Sequence, residues 1–307
     1  MNDLIIIGGG PAGIAAGVYA ARKRLKSVLI AEEIGGQSTV SEGVENWIGT
    51  IKIPGADMAK AFRAHLDAYK GDIVEVMEGD RVEKLEKDNG AFKVTTRDGK
   101  TVEGRAVLIA SGAARKKLYI PGADLFENKG VTYCASCDGP VFADQDVAVV
   151  GGGNAGLETA AQLLAYCKSV TLIHRHEELK GDKITVERLI ANPHFKVIYK
   201  SEPSEVLGEK FVSGLVVKHR DTGEETALPV TGVFVEIGVI PNTSFADGVV
   251  ELDEVKRVVT DPKNQHTSVA GIWAAGDCTD ELYHQNNIAA GDAVKALEDI
   301  YQWLMAH

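Results

Sequence analysis

The chain has 307 residues, enough for two domains that each bury a core. Its formal net charge of −11 argues against a surface for nucleic acid or an anionic membrane, and no apolar run reaches the ~18 residues that cross a bilayer. Four cysteines are too few for a disulfide scaffold, so we expect a cytoplasmic protein in which a close cysteine pair binds a metal or performs catalysis.

The N-terminal segment predicts a strand, a glycine turn and a helix. Apolar residues after Asp3 lead into "GGGPAG", and an alanine-rich helical stretch and a second apolar strand follow. The segment lacks a basic leader, so we expect a strand and not a signal peptide. In a βαβ unit of this kind, Gly8 permits the tight turn, Gly10 lets the backbone approach a pyrophosphate, and Gly13 lets helix and strand pack closely.

The same pattern returns about 140 residues later. Residues 146–176 repeat residues 3–33, with Gly151, Gly153 and Gly156 at the equivalent positions. A hairpin-like segment follows each copy, with turns at 98–99 and 221–223. The sequence therefore predicts an α/β fold with two Rossmann-like, three-layer domains, each binding a dinucleotide.

The two copies differ where the second strand ends. In the first copy, Glu32 or Glu33 can accept a hydrogen bond from an adenosine ribose, as FAD requires. The second copy reads "HRH" there, and a basic group can attract a 2′-phosphate, which favours NADPH over NADH. The alternative is a solvated charge cluster on the surface. The residues of this basic group are His174, Arg175, His176 and Lys180.

Basic residues and prolines indicate where the domains divide. Pro121 and Pro241 lie in the two expected linkers, and the segment 245–307 holds one strand and one amphipathic helix near 287–304. Since this tail cannot form a domain alone, we expect it to return to the first domain. The prediction is an FAD domain of residues 1–115 plus 243–307, with an NADPH domain of residues 116–242 inserted into it.

The segment "YCASCDGP" carries Cys134 and Cys137 between the two dinucleotide motifs. A tetrahedral zinc site needs four ligands, and Cys167 and Cys278 have no partner spacing, so we expect no metal. A structural disulfide is improbable in a reducing compartment, which leaves a redox-active dithiol as the favoured interpretation. Asp138 is either its proton donor and acceptor or a turn residue.

These motifs resemble the low-molecular-weight thioredoxin reductases of bacteria and archaea. The resemblance rests on "GGGPAG", "GGQ", "VENWIG", "ASGA", "CASCDG", "GGGNAG", "VFVEIGVIPNT" and "AAGDC…YHQ…AAGD", which span nearly the whole chain. It implies a homodimer that passes electrons from NADPH through FAD to the Cys134–Cys137 disulfide and then to thioredoxin or a thioredoxin-like protein.

The resemblance also implies the cofactor residues. Gln37 and Asn46 would lie by the flavin, and Asp277 would bind the FAD chain. Gln285 would lie at the N-terminus of a helix that meets the flavin ring. The complete expected FAD set is Gly8, Gly10, Pro11, Ala12, Gly13, Glu32, Glu33, Gly36, Gln37, Asn46, Ala110, Gly112, Gly276, Asp277, His284 and Gln285. The expected NADPH set is Gly151, Gly153, Asn154, Ala155, Gly156, His174, Arg175, His176, Lys180 and Gly238.

Two departures keep alternatives open. The usual nucleotide motif is "HRR" with a later arginine, whereas this chain reads "HRHEELK", so a family member that uses a donor other than NADPH is one alternative. The segments "CDGPVF" and "GVIPNT" look equally like the flavoprotein of alkyl hydroperoxide reductase, which would reduce another thioredoxin-like carrier. A ferredoxin–NADP reductase lacks the cysteine pair, and a non-catalytic redox sensor would show no steady turnover. Finally, a hinge at 114–121 and 238–243 is expected, because the resemblance implies a rotation of the inserted domain.

Overall fold

The computed structural model describes residues 1–41, 43–88 and 90–307, with the side chains of Val40, Asp88, Ser136 and Cys137 outside the description. Over these residues the chain divides into two compact units. The first combines Met1–Ala114 with Ile240–His307, and the second is Arg115–Val239. The second unit is therefore an insertion in the first.

The elements follow in chain order. The strands are β1 (Asn2–Ile7), β2 (Ser27–Ala31), β3 (Val74–Glu78), β4 (Val82–Asp88), β5 (Ala91–Thr96), β6 (Thr101–Ile109), β7 (Ala113–Arg115), β8 (Val131–Thr132), β9 (Asp146–Val150), β10 (Ser169–Ile173), β11 (Phe195–Ile198), β12 (Ser201–Gly208), β13 (Val212–His219), β14 (Glu225–Leu228), β15 (Gly232–Val235), β16 (Val239–Pro241) and β17 (Ile272–Ala274). The helices are α1 (Pro11–Arg22), α2 (Gly55–Lys70), α3 (Ala135–Asp138), α4 (Asn154–Leu163), α5 (Lys183–Ile190) and α6 (Asn286–Ala306), with 3-10 turns at Gly36–Val40, Gly139–Phe142 and Ser244–Ala246.

The first unit is built on a mixed sheet with the order β3–β2–β1–β6–β5–β4. Strands β1, β2, β3 and β6 run parallel, and β5 and β4 continue the sheet antiparallel. Strand β6 has two neighbours on the edge opposite β1. Its first half pairs with β5 and its last three residues pair with β17, which brings the C-terminal part of the chain back into this sheet.

Both faces of this sheet are covered, which is typical of parallel strands. Successive side chains of β1 point to opposite faces. Leu4 and Ile6 belong to a core shared with α1, α2 and α6, whereas Ile5 and Ile7 belong to a second core on the other face. The buried apolar run that predicted β1 therefore forms a strand of the central sheet, which has an apolar core on each face.

The second unit repeats this plan on a smaller scale. Its parallel sheet has the order β11–β10–β9–β15–β8, and β12, β13 and β14 form a separate antiparallel sheet. One core lies between the parallel sheet and helices α4 and α5, and another lies toward the antiparallel sheet. The predicted fold class, two dinucleotide-binding folds with the second inserted into the first, is confirmed.

The longest helix, α6, covers the segment near 287–304 that the sequence predicted to be amphipathic. Its buried residues include Ala289, Ala293, Leu297 and Ile300, spaced three or four apart as a helix packed on a sheet requires. In the described part of the chain, no helix combines the length and the hydropathy needed to cross a membrane.

Candidate functional site

The first glycine turn has three glycines with three different surroundings. Gly8 has a φ of +122°, and a Cβ there would lie 2.1 Å from the carbonyl oxygen of Ala110. A Cβ on Gly13 would lie 1.9 Å from the carbonyl oxygen of Gly8. By contrast, a Cβ on Gly10 would meet no described atom within 4 Å. The first and third glycines therefore serve packing, and the middle one faces open space.

The second glycine turn has the same geometry. Gly151 has a φ of +123°, and its Cβ would lie 2.1 Å from the carbonyl oxygen of Glu236. A Cβ on Gly156 would lie 1.8 Å from the carbonyl oxygen of Gly151, and one on Gly153 would meet no described atom within 4 Å. The two turns are thus duplicates in structure as well as in sequence.

Both turns provide room and hydrogen-bond donors for a pyrophosphate. Gly10 and Gly153 are the N-caps of α1 and α4, and a glycine has no side chain to accept from the first helical turn. The backbone N–H groups and the positive end of each helix are thereby available to an anion that approaches the open side of the middle glycine. The residues present fit a dinucleotide at each turn.

A cavity of about 670 Å³ opens beside the first turn, within the ~300–1,000 Å³ range of ligand sites. The carboxyl ends of β1, β2 and β6 and the start of α6 supply its walls. Of the residues predicted for FAD, those that line it are Gly8, Gly10, Pro11, Ala12, Glu32, Glu33, Gly36, Gln37, Ala110, Gly112, Gly276 and Asp277.

Four predicted FAD residues do not line this cavity. Gly13 packs on Gly8, as described above. Asn46 donates from Nδ2 to Oε1 of Gln285 at 2.9 Å, and Gln285 is the N-cap of α6. His284 precedes this cap in the chain. Asn46, His284 and Gln285 therefore lie at the start of α6, whose first residue, Asn286, lines the cavity.

The cavity also contains residues that the sequence did not single out. They include the polar residues Ser38, Arg81, Ser111, Asn242, Ser244 and Asn286. Ser111 and Asn242 lie inside the motifs "ASGA" and "VIPNT", so their motif membership was the available signal. No sequence motif indicated Arg81 or Ser244, because their approach to the cavity depends on long-range packing.

A second cavity, of about 390 Å³, lies at the end of β10 in the second unit. Two predicted residues line it, Arg175 and His176. Glu177, the next residue of the same loop, also lines it. Lys200 reaches it from the turn before β12, and Arg220 and Asp221 reach it from the turn after β13.

The other two basic residues predicted for this site lie elsewhere. His174 is buried, and its Nε2 lies 2.8 Å from the carbonyl oxygen of Glu178. Burial is the main cause that lowers its pKa, so His174 is a neutral part of the loop core. Lys180 donates its backbone N–H to the carbonyl of Gly152 at 2.9 Å, which ties the loop after β10 to the second glycine turn.

Of the remaining residues predicted for NADPH, two follow this turn and one follows β15. Asn154 and Ala155 begin α4, and Oδ1 of Asn154 accepts from the backbone N–H of Asp182 at 2.9 Å. Gly238, after β15, has a φ of +105°, and its carbonyl accepts from the backbone N–H of Lys116 at 3.0 Å.

The cysteine segment lies in the second unit between β8 and the 3-10 turn at Gly139–Phe142. Cys134 is disulfide-bonded and is the N-cap of α3. The backbone of Cys137 lies in α3, but its side chain is outside the described atoms, so the prediction made for its sulfur stays a prediction. Asp138 ends α3, and its carboxylate accepts a hydrogen bond from the hydroxyl of Thr132.

The other two cysteines have no role in such chemistry. Cys167 and Cys278 are free and buried, and desolvation raises the pKa of each thiol to about 11. A thiolate at neutral pH is therefore unfavourable at both positions. Among the described residues, no group of three or more histidine, cysteine or acidic side chains could hold a metal ion.

Comparison with known proteins identifies the family. The family model for pyridine nucleotide-disulphide oxidoreductases matches residues 2–293. The chain is 40% identical over 303 residues to an alkyl hydroperoxide reductase subunit of Staphylococcus aureus, and 37% identical over 303 residues to a NADH dehydrogenase of Bacillus subtilis. These matches cover 99% of this chain but only 59% and 58% of the relatives, so the chain spans about three-fifths of their length.

Solved structures agree with this family. The thioredoxin reductase of Streptococcus pyogenes superposes with a TM-score of 0.90 at 34% identity, covering 100% of this chain and 99% of that one. The thioredoxin reductase of Giardia duodenalis gives 0.91 at 31% identity, with 99% of each chain covered. The resemblance to low-molecular-weight thioredoxin reductases is thus confirmed. The chain belongs to the pyridine nucleotide-disulphide oxidoreductase family.

Proposed function

We propose that this protein is a thioredoxin reductase. In this proposal electrons pass from NADPH through FAD to a disulfide between Cys134 and Cys137, and from the resulting dithiol to thioredoxin or a thioredoxin-like protein. The observation that carries it is the disulfide-bonded Cys134, which caps a short helix ending in the carboxylate of Asp138, inside the second dinucleotide unit. The similarity to solved thioredoxin reductases supports the same function.

The first unit is the proposed FAD domain and the second the proposed NADPH domain. The cavity of about 670 Å³ beside the first glycine turn supports the first assignment, because it joins the glycine turn to Asp277 and to the start of α6. The open side of Gly153 supports the second. When bound, FAD would supply a two-electron carrier between a nicotinamide and a disulfide.

The residues of the second unit account for the sulfur chemistry. Reduction breaks the Cys134–Cys137 bond with two electrons and two protons and gives two thiols. Asp138 can take up or release one of these protons at its carboxylate, and the Thr132 hydroxyl holds that carboxylate in place. A cysteine thiolate then attacks the substrate disulfide and forms a mixed disulfide, and the second thiol releases the reduced substrate while the internal disulfide forms again.

The proposed donor is NADPH. Arg175 and His176 line the second cavity, and guanidinium groups suit a phosphate because they present parallel donors. The relative named NADH dehydrogenase makes NADH the competing donor. Steady-state rates with each nucleotide test this choice, and a kcat/KM for NADPH below that for NADH would overturn it.

A second candidate function is that of an alkyl hydroperoxide reductase-type flavoprotein, which would reduce a different thioredoxin-like carrier. The observation in its favour is the 40% identity to the alkyl hydroperoxide reductase relative over 99% of this chain. Parallel assays with thioredoxin and with a peroxiredoxin-linked carrier separate the two. Turnover with the peroxiredoxin-linked carrier and none with thioredoxin would favour the alkyl hydroperoxide reductase-type function over thioredoxin reduction.

The central experiment is an anaerobic titration of the FAD-loaded protein. We expect NADPH to bleach the flavin absorbance and oxidised thioredoxin to restore it. Cys134→Ser and Cys137→Ser should still bleach but should lose thioredoxin reduction, whereas the control Cys167→Ala, which removes a buried free thiol, should keep it. Retained thioredoxin reduction in Cys134→Ser would remove the disulfide from the mechanism.

Two further parts of the proposal concern assembly and location. We propose a homodimer in the cytoplasm, where glutathione and thioredoxin keep thiols reduced and a reductase has its substrate. Sedimentation equilibrium of the FAD-loaded protein tests the dimer, and a mass of about 33 kDa, that of one chain, would contradict it.

A further inference from the structure

The second cavity contains a second arginine that no sequence motif indicated. Arg220 follows β13 and lies 45 positions after Arg175 in the chain, yet both line the same cavity. The loop that carries Arg175 has a histidine at its next position, where the thioredoxin reductase motif has a second arginine. The structure thus brings a guanidinium to this site from a different sheet.

Two hydrogen bonds fix Arg220 in this position. Its backbone N–H donates to the carbonyl of Lys200 at 2.7 Å, and its Nη1 donates to the carbonyl of Arg175 at 3.2 Å. Lys200 in turn donates its backbone N–H to the carbonyl of His176 at 3.1 Å. The turns before β12 and after β13 are therefore joined to the loop after β10 by main-chain contacts.

The charges in the cavity are not equivalent. The ammonium of Lys200 contacts the carboxylates of Glu177 and Asp221, so its charge is already compensated. Nε of Arg175 donates to Nε2 of His176 at 3.1 Å, which leaves the Nη groups of Arg175 for a ligand. Among the described residues, Arg220 forms an ion pair with Glu202 at 3.7 Å, and this pair is exposed, so it contributes little.

His176 is a weaker cation than an arginine at the same position. Desolvation lowers its pKa, and the neighbouring cations Lys180, Arg175 and Arg220 lower it further. Besides Lys200, whose charge is compensated, the guanidinium groups of Arg175 and Arg220 supply the permanent positive charge of this cavity. Paired guanidinium groups recognise phosphate well, because each offers parallel N–H donors to its oxygens.

We propose that Arg220 is a specificity-determining residue, which binds the 2′-phosphate of NADPH together with Arg175. This inference rests on the NADPH donor proposed above. Arg220 takes the role that the histidine at position 176 cannot fill, and it contributes nothing to a donor whose ribose carries a free 2′-hydroxyl.

The test compares Arg220→Gln, Arg220→Lys and the parent in the FAD-loaded protein. We expect Arg220→Gln to raise KM for NADPH about tenfold or more, the effect of losing a charged hydrogen bond, with KM for NADH and kcat nearly unchanged. The KM of Arg220→Lys for NADPH should lie between those of the parent and Arg220→Gln, since lysine keeps the charge but lacks the parallel N–H donors of the guanidinium group. Arg188→Gln is the matched control, because Arg188 is exposed on α5 of the same unit.

Calorimetry with 2′,5′-ADP and 5′-AMP separates this inference from the donor proposal. If the parent binds 2′,5′-ADP no better than 5′-AMP, the donor proposal and the role of Arg220 both fail. If the parent discriminates and Arg220→Gln discriminates equally, only the role of Arg220 fails. An equal rise in KM for NADPH and NADH, or a loss of folded protein in Arg220→Gln that Arg220→Lys shares, would show a structural role instead.

Discussion

The hydroxyl of Thr132 donates to a carboxylate oxygen of Asp138, and the same Oγ1 accepts from the backbone N–H of Cys134 at 3.3 Å. One buried hydroxyl therefore connects the acid at the end of α3 to the cysteine at its start. If Asp138 transfers the proton of the dithiol, Thr132 helps to position that carboxylate.

Thr132→Val should lower the rate of thioredoxin reduction about tenfold, a part of the ~10²–10⁴ that acid–base catalysis supplies. The reason is that valine fills the space of threonine but cannot orient the carboxylate. Flavin reduction by NADPH should proceed at the parental rate, because it does not use this proton. Stopped-flow absorbance and a steady-state thioredoxin assay measure the two steps.

Thr226→Val, on the exposed strand β14, controls for the chemical change, and Asp138→Asn sets the largest expected effect. A Thr132→Val protein that reduces thioredoxin at the parental rate would show that the hydroxyl has only a packing role.

Two glycines of the second turn should separate stability from binding. Gly151→Ala needs a φ of +123° and places Cβ 2.1 Å from a carbonyl oxygen, so we expect a loss of about 1–3 kcal/mol in unfolding free energy or more. Gly153→Ala keeps a φ of −91° and meets no described atom within 4 Å, so its stability should change by about 1 kcal/mol or less.

Nucleotide affinity should fall in Gly153→Ala although its stability is nearly kept. The new methyl group would occupy the open side of the turn, and we expect NADPH to bind about tenfold more weakly. Calorimetric melting and nucleotide titration measure the two effects. Parental affinity in Gly153→Ala would mean that the dinucleotide does not approach this glycine.

The glycine turns could be predicted from the sequence because their geometry is local. Gly13 must contact Gly8, and Gly156 must contact Gly151, within one strand–turn–helix unit. The sequence motifs also placed twelve of the sixteen residues predicted for FAD at the cavity in the first unit. The repeated pattern also predicted the fold class, because each copy supplies its own strand, helix and strand.

The proposed phosphate-binding cluster could be predicted only in part. The run "HRH" lies in the loop after β10, and two of its three residues, Arg175 and His176, line the cavity. His174 is buried under the loop whereas Arg175 is exposed. Lys200 and Arg220 reach the cavity because Lys200 is hydrogen-bonded to His176 and Arg220 to Lys200, a long-range arrangement without a local pattern.

Asn287 should control how firmly the flavin is held. Its Nδ2 donates to the carbonyl of Asn46 at 2.6 Å, and its Oδ1 accepts from the backbone N–H of Ile48 at 3.4 Å. Both bonds fasten the segment 46–48 to the start of α6, beside the proposed FAD cavity. Asn287→Ala should weaken FAD binding to the apoprotein about fivefold to tenfold, since it removes side-chain hydrogen bonds worth about 1 kcal/mol each.

Fluorescence titration of the apoprotein with FAD measures this affinity. Gln302→Ala, exposed near the end of the same helix, is the control for a lost amide. Equal FAD affinity in Asn287→Ala and the parent would show that the segment 46–48 does not help to retain the cofactor.

Glu236 should make stability depend on pH. Its carboxylate is largely buried, and burial is the main cause that raises its pKa. Arg115, at 4.0 Å, and the hydroxyl of Thr159, which donates to Oε1 at 3.0 Å, oppose that rise. The folded protein therefore binds this proton more tightly than the unfolded chain, whose glutamate pKa is about 4.5.

The sign follows from proton linkage. The protonated carboxyl contributes its full stability below the unfolded pKa, and this contribution is lost as pH rises through the folded pKa. Glu236→Gln mimics the protonated form at every pH. It should match the parent near pH 4.5 and become the more stable protein as pH rises toward 8.

Calorimetry suits this measurement, because Trp47, Trp273 and Trp303 all lie in the first unit and do not report on the second. The exposed Glu225 on β14 provides the control, Glu225→Gln, which should follow the parent across the whole range. A difference between Glu236→Gln and the parent that stays constant with pH would contradict the raised pKa. A variant that is less stable at pH 8 would show that the attraction of Arg115 outweighs the cost of burial.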